Sequence, residues 1–405
     1  MRLSLWKGCK QMILAHKIQL DPNNKQRTYF AKACGTARFA YNWALAKAKE
    51  QYKQDKTSKF REGELRKELN AIKREQFPWM LEVTKCAPQL AIKEGLARAF
   101  RNFFSGRAEF PKFHKKGEKD SFSLSNDQFA ITGKLIRIPN LGYVRMTEEV
   151  RFCGKVISAT ISRKADRWYV SVHIEMPDPK PIHKTHSENQ AIGVDLGIKD
   201  LAVLSDGTKV VGAKPHKALL ARLRRTNKSL SRKQGAKKGE KKSNNFNKAK
   251  KKLARLHSQI SNIRSDELHK LTTSITQKYS IIGIEDLNVS GMVKNHKLAR
   301  AINDVSFYEF RRQLEYKAQL TGGKVIVSSR FFPSSKLCSA CGYKFDALTL
   351  RMREWDCPNC KSKHDRDINA AINLKNNAVS YTVSACGELV ETVTSVKQEL
   401  NIKIG

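Results

Sequence analysis

The sequence predicts an α+β chain of several domains: a strand-rich unit interrupted by helices, then a sheet-and-helix unit interrupted by a metal-binding knot. Three observations carry that prediction. Cys338-Ser-Ala-Cys341 and Cys357-Pro-Asn-Cys360 form two CxxC pairs separated by fifteen residues. Two short apolar runs, Ala191-Ile-Gly-Val-Asp195 and Ile281-Ile-Gly-Ile-Glu285, both close on a carboxylate. Finally, 77 Lys+Arg against 38 Asp+Glu give the 405 residues a formal charge of +39. That excess calls for a polyanionic partner, and phosphate backbones are the obvious one. A basic membrane-surface protein would usually carry an amphipathic or lipidated anchor, and none is evident. No apolar run approaches a membrane span, and the opening residues lack a signal-peptide pattern. The length allows two to four domains.

Residues 13–20 alternate as a strand, and Asp21-Pro-Asn-Asn24 breaks it and caps a helix from Gln26 to about Gln54. Further helices are expected at about Glu62–Arg74 and Pro88–Phe104, their aromatics read as core rather than as base-stacking surfaces. After the basic loop Phe110-Pro-Lys-Phe-His-Lys-Lys, alternating runs between Ser121 and Glu175 are punctuated by Gly133, Gly142 and Gly154. Short strands at this spacing suggest a small barrel. The boundaries are residues 1–25 for its first part, 26–115 for the helical insertion, 116–180 for the remainder and 181–189 for a Pro-led linker.

The character changes at Gln190. A buried strand ending in Asp195, then a hairpin over 201–212, is how an RNase H-like sheet begins. Residues 221–257 hold fifteen Lys/Arg and one acid, Glu240. This run is expected to be part mobile loop and to contact nucleic acid through Arg222, Arg224, Arg225, Lys228, Arg232 and Lys233. Lys85, Gln89 and Arg98, on or beside the third helix, are further candidates for DNA contact. A long amphipathic helix from Leu253 leads to the strand closing on Glu285 and Asp286. A helix over 306–320 and a strand over 324–328 precede the cysteines, and Asp367 starts a helix ending near Asn376. The second unit thus spans 190–335 and 363–377, with the cysteine knot at 336–362 inserted. Residues 378–405 are expected to be a loosely attached tail, and Met12 reads as an alternative start.

The cysteine spacing is that of a four-thiolate zinc ribbon. Two disulfides, or four unrelated core cysteines, are the competing readings. The scattered, odd remainder (Cys9, Cys34, Cys86, Cys153 and Cys386) instead fits reduced thiols in a cytoplasm. Asp195, Glu285 and Asp367 each have an ordinary explanation, as turn residue, surface acid or helix cap. Together, in so basic a chain, they suggest carboxylates gathered on divalent metal: two Mg²⁺ ions, with Mn²⁺ as a substitute. Asp286 and Asp365 are spare acids.

Gly193-Val-Asp195-Leu-Gly197, Gly283-Ile-Glu285-Asp-Leu287, the cysteine pairs and Asp365-Arg-Asp367-Ile-Asn-Ala-Ala-Ile-Asn-Leu374 resemble, in order, the split RuvC motifs of the TnpB proteins. These are transposon-encoded, RNA-guided endonucleases related to the type V CRISPR effectors. His16-Lys-Ile-Gln-Leu-Asp-Pro-Asn-Asn-Lys-Gln26, Ala37-Arg-Phe-Ala-Tyr-Asn-Trp-Ala-Leu-Ala46 and Phe110-Pro-Lys-Phe-His-Lys-Lys116 are similar to the family's opening blocks. The resemblance covers about residues 12–376. It implies a wedge-like barrel with a helical recognition insertion, then a RuvC domain interrupted by one structural Zn²⁺ on Cys338, Cys341, Cys357 and Cys360. It implies catalysis by Asp195, Glu285 and Asp367 at a single Mg²⁺ site. Its expected partners are a guide RNA from the transposon end and double-stranded target DNA bearing a short adjacent motif, in a prokaryotic cytoplasm at the nucleoid. A DNA-binding transposase, or an accessory protein of transposition, is the alternative.

Overall fold

In the computed structural model, which describes residues 12–57, 60–176, 190–234, 242–349 and 351–386, the chain divides after Pro179 into two units. Residues 1–11, the expected linker at 181–189 and everything beyond 386 lie outside the described residues. No described helix is long and apolar enough to cross a membrane.

The first unit turns on a small piece of capping chemistry. Strand β1 (Met12–Asp21) buries His16, Ile18 and Leu20 on one face. Asn23 then accepts the Gln26 N–H at 2.9 Å while Gln26 Oε1 accepts the Asn23 N–H at 3.0 Å. This reciprocal box fixes the start of the helix Asn24–Gln54. That helix serves two cores. Phe30 packs against Trp168 and Phe122 of the sheet, at ring centroid distances of 5.0 and 6.0 Å. Tyr41, Ala44 and Leu45 pack farther along with Leu65, Leu69, Ile92, Leu96 and Phe100 of the helical block.

The remaining strands are β2 (Ser121–Ser125), β3 (Ala130–Thr132), β4 (Leu135–Ile138), β5 (Gly142–Met146), β6 (Lys155–Lys164) and β7 (Arg167–Met176). They join β1 in a seven-stranded sheet of order β2-β6-β7-β1-β5-β4-β3, every pairing antiparallel. The edge strands β2 and β3 do not pair with each other among the described residues. Because β1 sits at the sheet's centre, the helices between it and β2 form an insertion. The third of these runs from Cys86 to Phe104, with a π-helical turn at Ala91–Leu96.

In the second unit the sheet order is β10 (Lys209–Val210), β9 (Ala202–Leu204), β8 (Ala191–Asp195), β11 (Ile281–Glu285) and β12 (Lys324–Ser328). Strands β8, β11 and β12 are mutually parallel, and β9 and β10 form an antiparallel hairpin at one edge. Parallel strands need long crossovers. The helices Asn244–Lys278 and Phe307–Thr321 supply them, packing Leu268, Ile275, Phe310 and Leu314 against Ile192, Val194, Ile282 and Ile284. The other sheet face is covered by the last helix, Arg366–Cys386, so the strand interiors are buried on both sides.

One expectation needs correction. The last helix continues to Cys386 rather than ending near Asn376, because the apolar face continues through Ala378, which is fully buried. The basic run is helical over Leu220–Arg232 and from Asn244 onward, and its residues 235–241 lie outside the described residues. Helix Leu220–Arg232 packs on the long helix through Leu223, Leu256 and Ile260, a seam that the surrounding lysines obscured in the sequence.

Candidate active site and cysteine cluster

β8 and β11 pair in register from Ile281↔Ala191 to Ile284↔Val194, so Asp195 and Glu285, each the next residue, leave the sheet side by side. Residues two apart on a strand share a face, so each acid points to the same side as the glycine two positions earlier. The last helix covers that side. A Cβ at Gly193 would lie 1.8 Å from the Ala371 carbonyl oxygen, and one at Gly283 would lie 2.3 Å from that of Leu374. The two bare backbones let the helix lie flush on the sheet. Flush packing carries its first turn, and with it Asp367, to the acid ends of the strands.

All three carboxylates are partly exposed. Burial, then the charges of Glu285 and Asp367, push Asp195 up from 3.8 to about 7; Arg366 and the Leu196 backbone oppose the shift without cancelling it. The structure therefore brings the three candidate acids within electrostatic reach of one another, an arrangement that a cation relieves. Ser334 Oγ donates to Glu285 Oε1 at 2.7 Å, and Arg353 Nη1 lies 3.3 Å from both Asp367 oxygens.

The spare acids are otherwise engaged. Asp286 pairs with Arg311 at 3.0 Å and Arg330 at 2.8 Å. Asp365 accepts the N–H groups of Asp367 and Ile368 at 3.0 and 3.1 Å, capping the helix, and binds Lys209 at 2.6 Å. Capping thus falls to Asp365, which leaves the Asp367 side chain for other work.

The four cysteine sulfurs all lie within 4.8 Å of one another, with Cys338–Cys360 and Cys341–Cys357 at 3.6 Å. A tetrahedral ion with sulfurs at about 2.3 Å would hold them roughly 3.8 Å apart, so the set fits such an ion. The two knuckles are built alike. The Gly342 N–H donates to the Cys338 carbonyl and the Lys361 N–H to that of Cys357, both at 2.9 Å. Both Gly342 and Lys361 take positive φ, 75° and 59°. Strands β13 (Glu354–Asp356) and β14 (Lys363–Asp365) pair beside the second knuckle, and Trp355 packs on Cys338, Cys357 and Leu348. Burial pushes the Cys338 thiol up to about 12, whereas hydrogen bonding with Ser362 brings Cys360 down to about 6. His364 Nε2 lies 3.0 Å from Cys338 Sγ.

The basic candidates Arg222, Arg224, Arg225, Lys228, Arg232 and Lys233 are all exposed along Leu220–Arg232 and its end. Arg222 also lines a cleft of about 480 Å³ with Lys248, Lys251, Lys252 and Arg255. In the first unit Lys85 and Arg98 are exposed, while Gln89 is engaged by Arg66 at 2.9 Å and Asn70 at 2.8 Å. Sequence reasoning missed Ser334, Asn369 and Asn373. Asn369 and Asn373 stand at i, i+4 on a face otherwise made of alanine and leucine, a pattern that asks for buried partners.

The family profile OrfB_IS605, described as "Probable transposase", matches residues 171–296. One described as "Cas12f1-like, TNB domain" matches 307–374. One described as "Helix-turn-helix domain" matches 12–57, where the structure has a strand and a single helix. Curated relatives carry the name "Putative RNA-guided DNA endonuclease". InsQ of Escherichia coli (strain K12) is 33% identical over 95% of this chain and 96% of its own. A Streptomyces pristinaespiralis relative is 34% identical over 96% and 97%. Among solved structures, the Cas12f1 chain of a Cas12f1–sgRNA–target DNA complex aligns with a TM-score of 0.56 at 15% identity, over 87% of this chain and 83% of its own, which shows a shared fold.

Proposed function

The chain belongs to the OrfB/IS605 (TnpB) family, and we propose from that footing that it is a transposon-encoded, RNA-guided DNA endonuclease. One observation carries the reading beyond family membership: Asp195, Glu285 and Asp367, distant in sequence, converge where Asp195 feels the other two charges. In this reading the second unit is a RuvC-like, RNase H-like nuclease domain with an inserted zinc ribbon at 336–362. The first unit is a wedge barrel carrying a recognition insertion at 26–115.

Asp195, Glu285 and Asp367 would hold two divalent ions, Mg²⁺ or Mn²⁺. Bound there, they supply an activated water and charge stabilisation at the scissile phosphate. The chain's own part is to gather the ligands before loading, with Ser334 orienting Glu285 and the helix cap at Asp365 fixing the turn that presents Asp367. Cys338, Cys341, Cys357 and Cys360 would hold one structural Zn²⁺. A guide RNA and double-stranded target DNA would lie on Lys85, Arg98 and the basic helix from Arg222 to Lys233, neutralising part of the +39 charge.

The test is to purify the chain from a host transcribing its flanking DNA, sequence the RNA that accompanies it and ask the complex to cut matching plasmid DNA in Mg²⁺. One abundant RNA ending at a transposon boundary, with cleavage that moves when the guide segment is rewritten, is the expected result. Heterogeneous host RNA with no guided cleavage would refute it. Joining of transposon ends by the same preparation would instead identify a transposase.

A further inference from the structure

Between β12 and the first cysteine knuckle the chain runs from Ser328 to Ser339 along the last helix, and three asparagines of that helix hold it. Asn369 Oδ1 accepts the Ser339 N–H at 2.9 Å, and its Nδ2 donates to the Leu337 carbonyl at 2.6 Å. Asn373 Nδ2 donates to the carbonyls of Ser334 at 2.8 Å and Leu337 at 2.7 Å. Asn377 Nδ2 donates to Ser328 Oγ at 2.8 Å. The spacing of four puts all three on one helix face. Asn369 is 1% exposed, Asn373 7% and Ser334 3%. Buried amides with their donors in use define position sharply, since a shift of the loop would leave polar groups unpaired.

In the middle of this seam stands Ser334, whose backbone carbonyl is gripped by Asn373 and whose hydroxyl donates to Glu285 Oε1 at 2.7 Å. Leu337, held by both Asn369 and Asn373, directly precedes Cys338. The cysteine cluster, the helix that presents Asp367 and the hydroxyl that orients Glu285 therefore share one hydrogen-bonded strap.

We infer that Ser334 is a positioning residue for the Glu285 carboxylate, held in place by Asn373, and that this strap makes the cysteine cluster a brace for two of the three acids. The inference rests on the proposed divalent site at those acids. A hydroxyl donating to one carboxylate oxygen fixes the plane of the group and leaves the other oxygen for a cation. Losing it leaves the ligand present but rotationally free, which lowers metal affinity without removing a ligand.

The experiment is an Mn²⁺ titration of the full chain, freed of nucleic acid in high salt and followed through the electron paramagnetic resonance signal of unbound Mn²⁺. Asp195→Asn serves as the site-blind reference. Alongside it, the Mg²⁺ midpoint and plateau rate of guided cleavage are measured on the RNA complex. Ser334→Ala is expected to weaken site Mn²⁺ binding and raise the Mg²⁺ midpoint by about tenfold. Guide-RNA retention should stay near the parent's, and Ser334→Thr, which restores the hydroxyl, should recover the midpoint. Asn373→Ala, which leaves Ser334 intact, is expected to move both readings the same way and carries the test if Ser334→Ala does not fold. Parental Mn²⁺ affinity and Mg²⁺ midpoint in Ser334→Ala would overturn the positioning role. Equal Mn²⁺ binding by the parent and Asp195→Asn would overturn the divalent site itself, and the inference with it.

Discussion

The cysteine cluster and the carboxylate cluster lie on either side of one seam and are built on opposite principles. At the first, two of the four sulfurs are buried, all four sit at distances that one tetrahedral ion satisfies, and each knuckle closes on its own backbone. At the second, three partly exposed carboxylates come from separate elements, and the Asp195 carboxyl is pushed up to about 7 by burial and then by its neighbours' charges. A closed soft-ligand site can stabilise a fold, whereas an open hard-ligand site stores repulsion and leaves room for a substrate. The difference teaches that removing a ligand should have opposite consequences for stability at the two places.

The largest effect expected is at the open site. Asp195→Asn should lower guided cleavage by about a thousandfold or more, with RNA retention unchanged, because a ligand is removed while the basic surface stays. The same substitution should raise the melting temperature of the metal-free protein. Below about pH 3.8 Asp195 is protonated in both folded and unfolded chains and contributes nothing. Between 3.8 and about 7 the folded state retains a proton that the unfolded state gives up, so stability is lost as pH rises, and the penalty is complete above 7. Its size is on the order of 2–4 kcal/mol at most. Calorimetry of both proteins in chelator at pH 7.5 checks the sign; a lower melting point in Asp195→Asn would contradict the repulsive site.

Cys357→Ser should act in the other direction, lowering stability and cleavage together. Cys357 is fully buried among Trp355 and Leu348, and a missing thiolate uncouples the knuckles. Zinc content measured per chain should fall from one toward zero, and soluble yield with it. A soluble variant with full zinc and full activity would show that the cluster does not brace the site.

Gly193→Ala probes how the helix is seated. Its methyl would fall 1.8 Å from the Ala371 carbonyl oxygen, which is backbone and cannot rotate away. The helix must lift, at a cost of about 1–3 kcal/mol or more. A melting temperature within about 2 °C of the parent would mean that the helix is not pressed on the strand as described.

Much of this was legible in the sequence because it is local. The strand periods, the Asn23 cap, the cysteine spacing and the Gly-x-acid pattern all report short-range geometry, and the strands around Asp195 and Glu285 appear close to where the pattern puts them. What was not legible depends on partners far away in the chain. Nothing near Ser334 says that its hydroxyl meets Glu285, 49 residues earlier. The spacing of the asparagines at 369 and 373 asks for buried partners, but which backbone they hold appears only with the knuckle opposite them. The helix Leu220–Arg232 was hidden for a different reason: Leu223, its buried apolar contact to Leu256 and Ile260, does not stand out among the surrounding arginines and lysines. The last helix was cut short because Ala378 is a weak signal, although it packs beside Gly283.

The smallest effects are expected on the basic helix, where no single residue is decisive. Arg222, Arg224, Arg225, Lys228, Arg232 and Lys233 are exposed, so each is expected to contribute mainly through its charge. Changing one to Gln should weaken nucleic-acid binding by only a few fold near physiological salt. The sharper reading is the slope of log affinity against log salt, which should become shallower by up to about one for each phosphate left without its cation. Substitutions along this helix should add nearly independently, since the cationic groups are spread along an exposed face. The carboxylates should behave in the opposite way, because there the first substitution is expected to remove nearly all the activity and to leave a second little to remove. A salt slope unchanged after replacing all six would mean that the polyanion lies elsewhere on the chain.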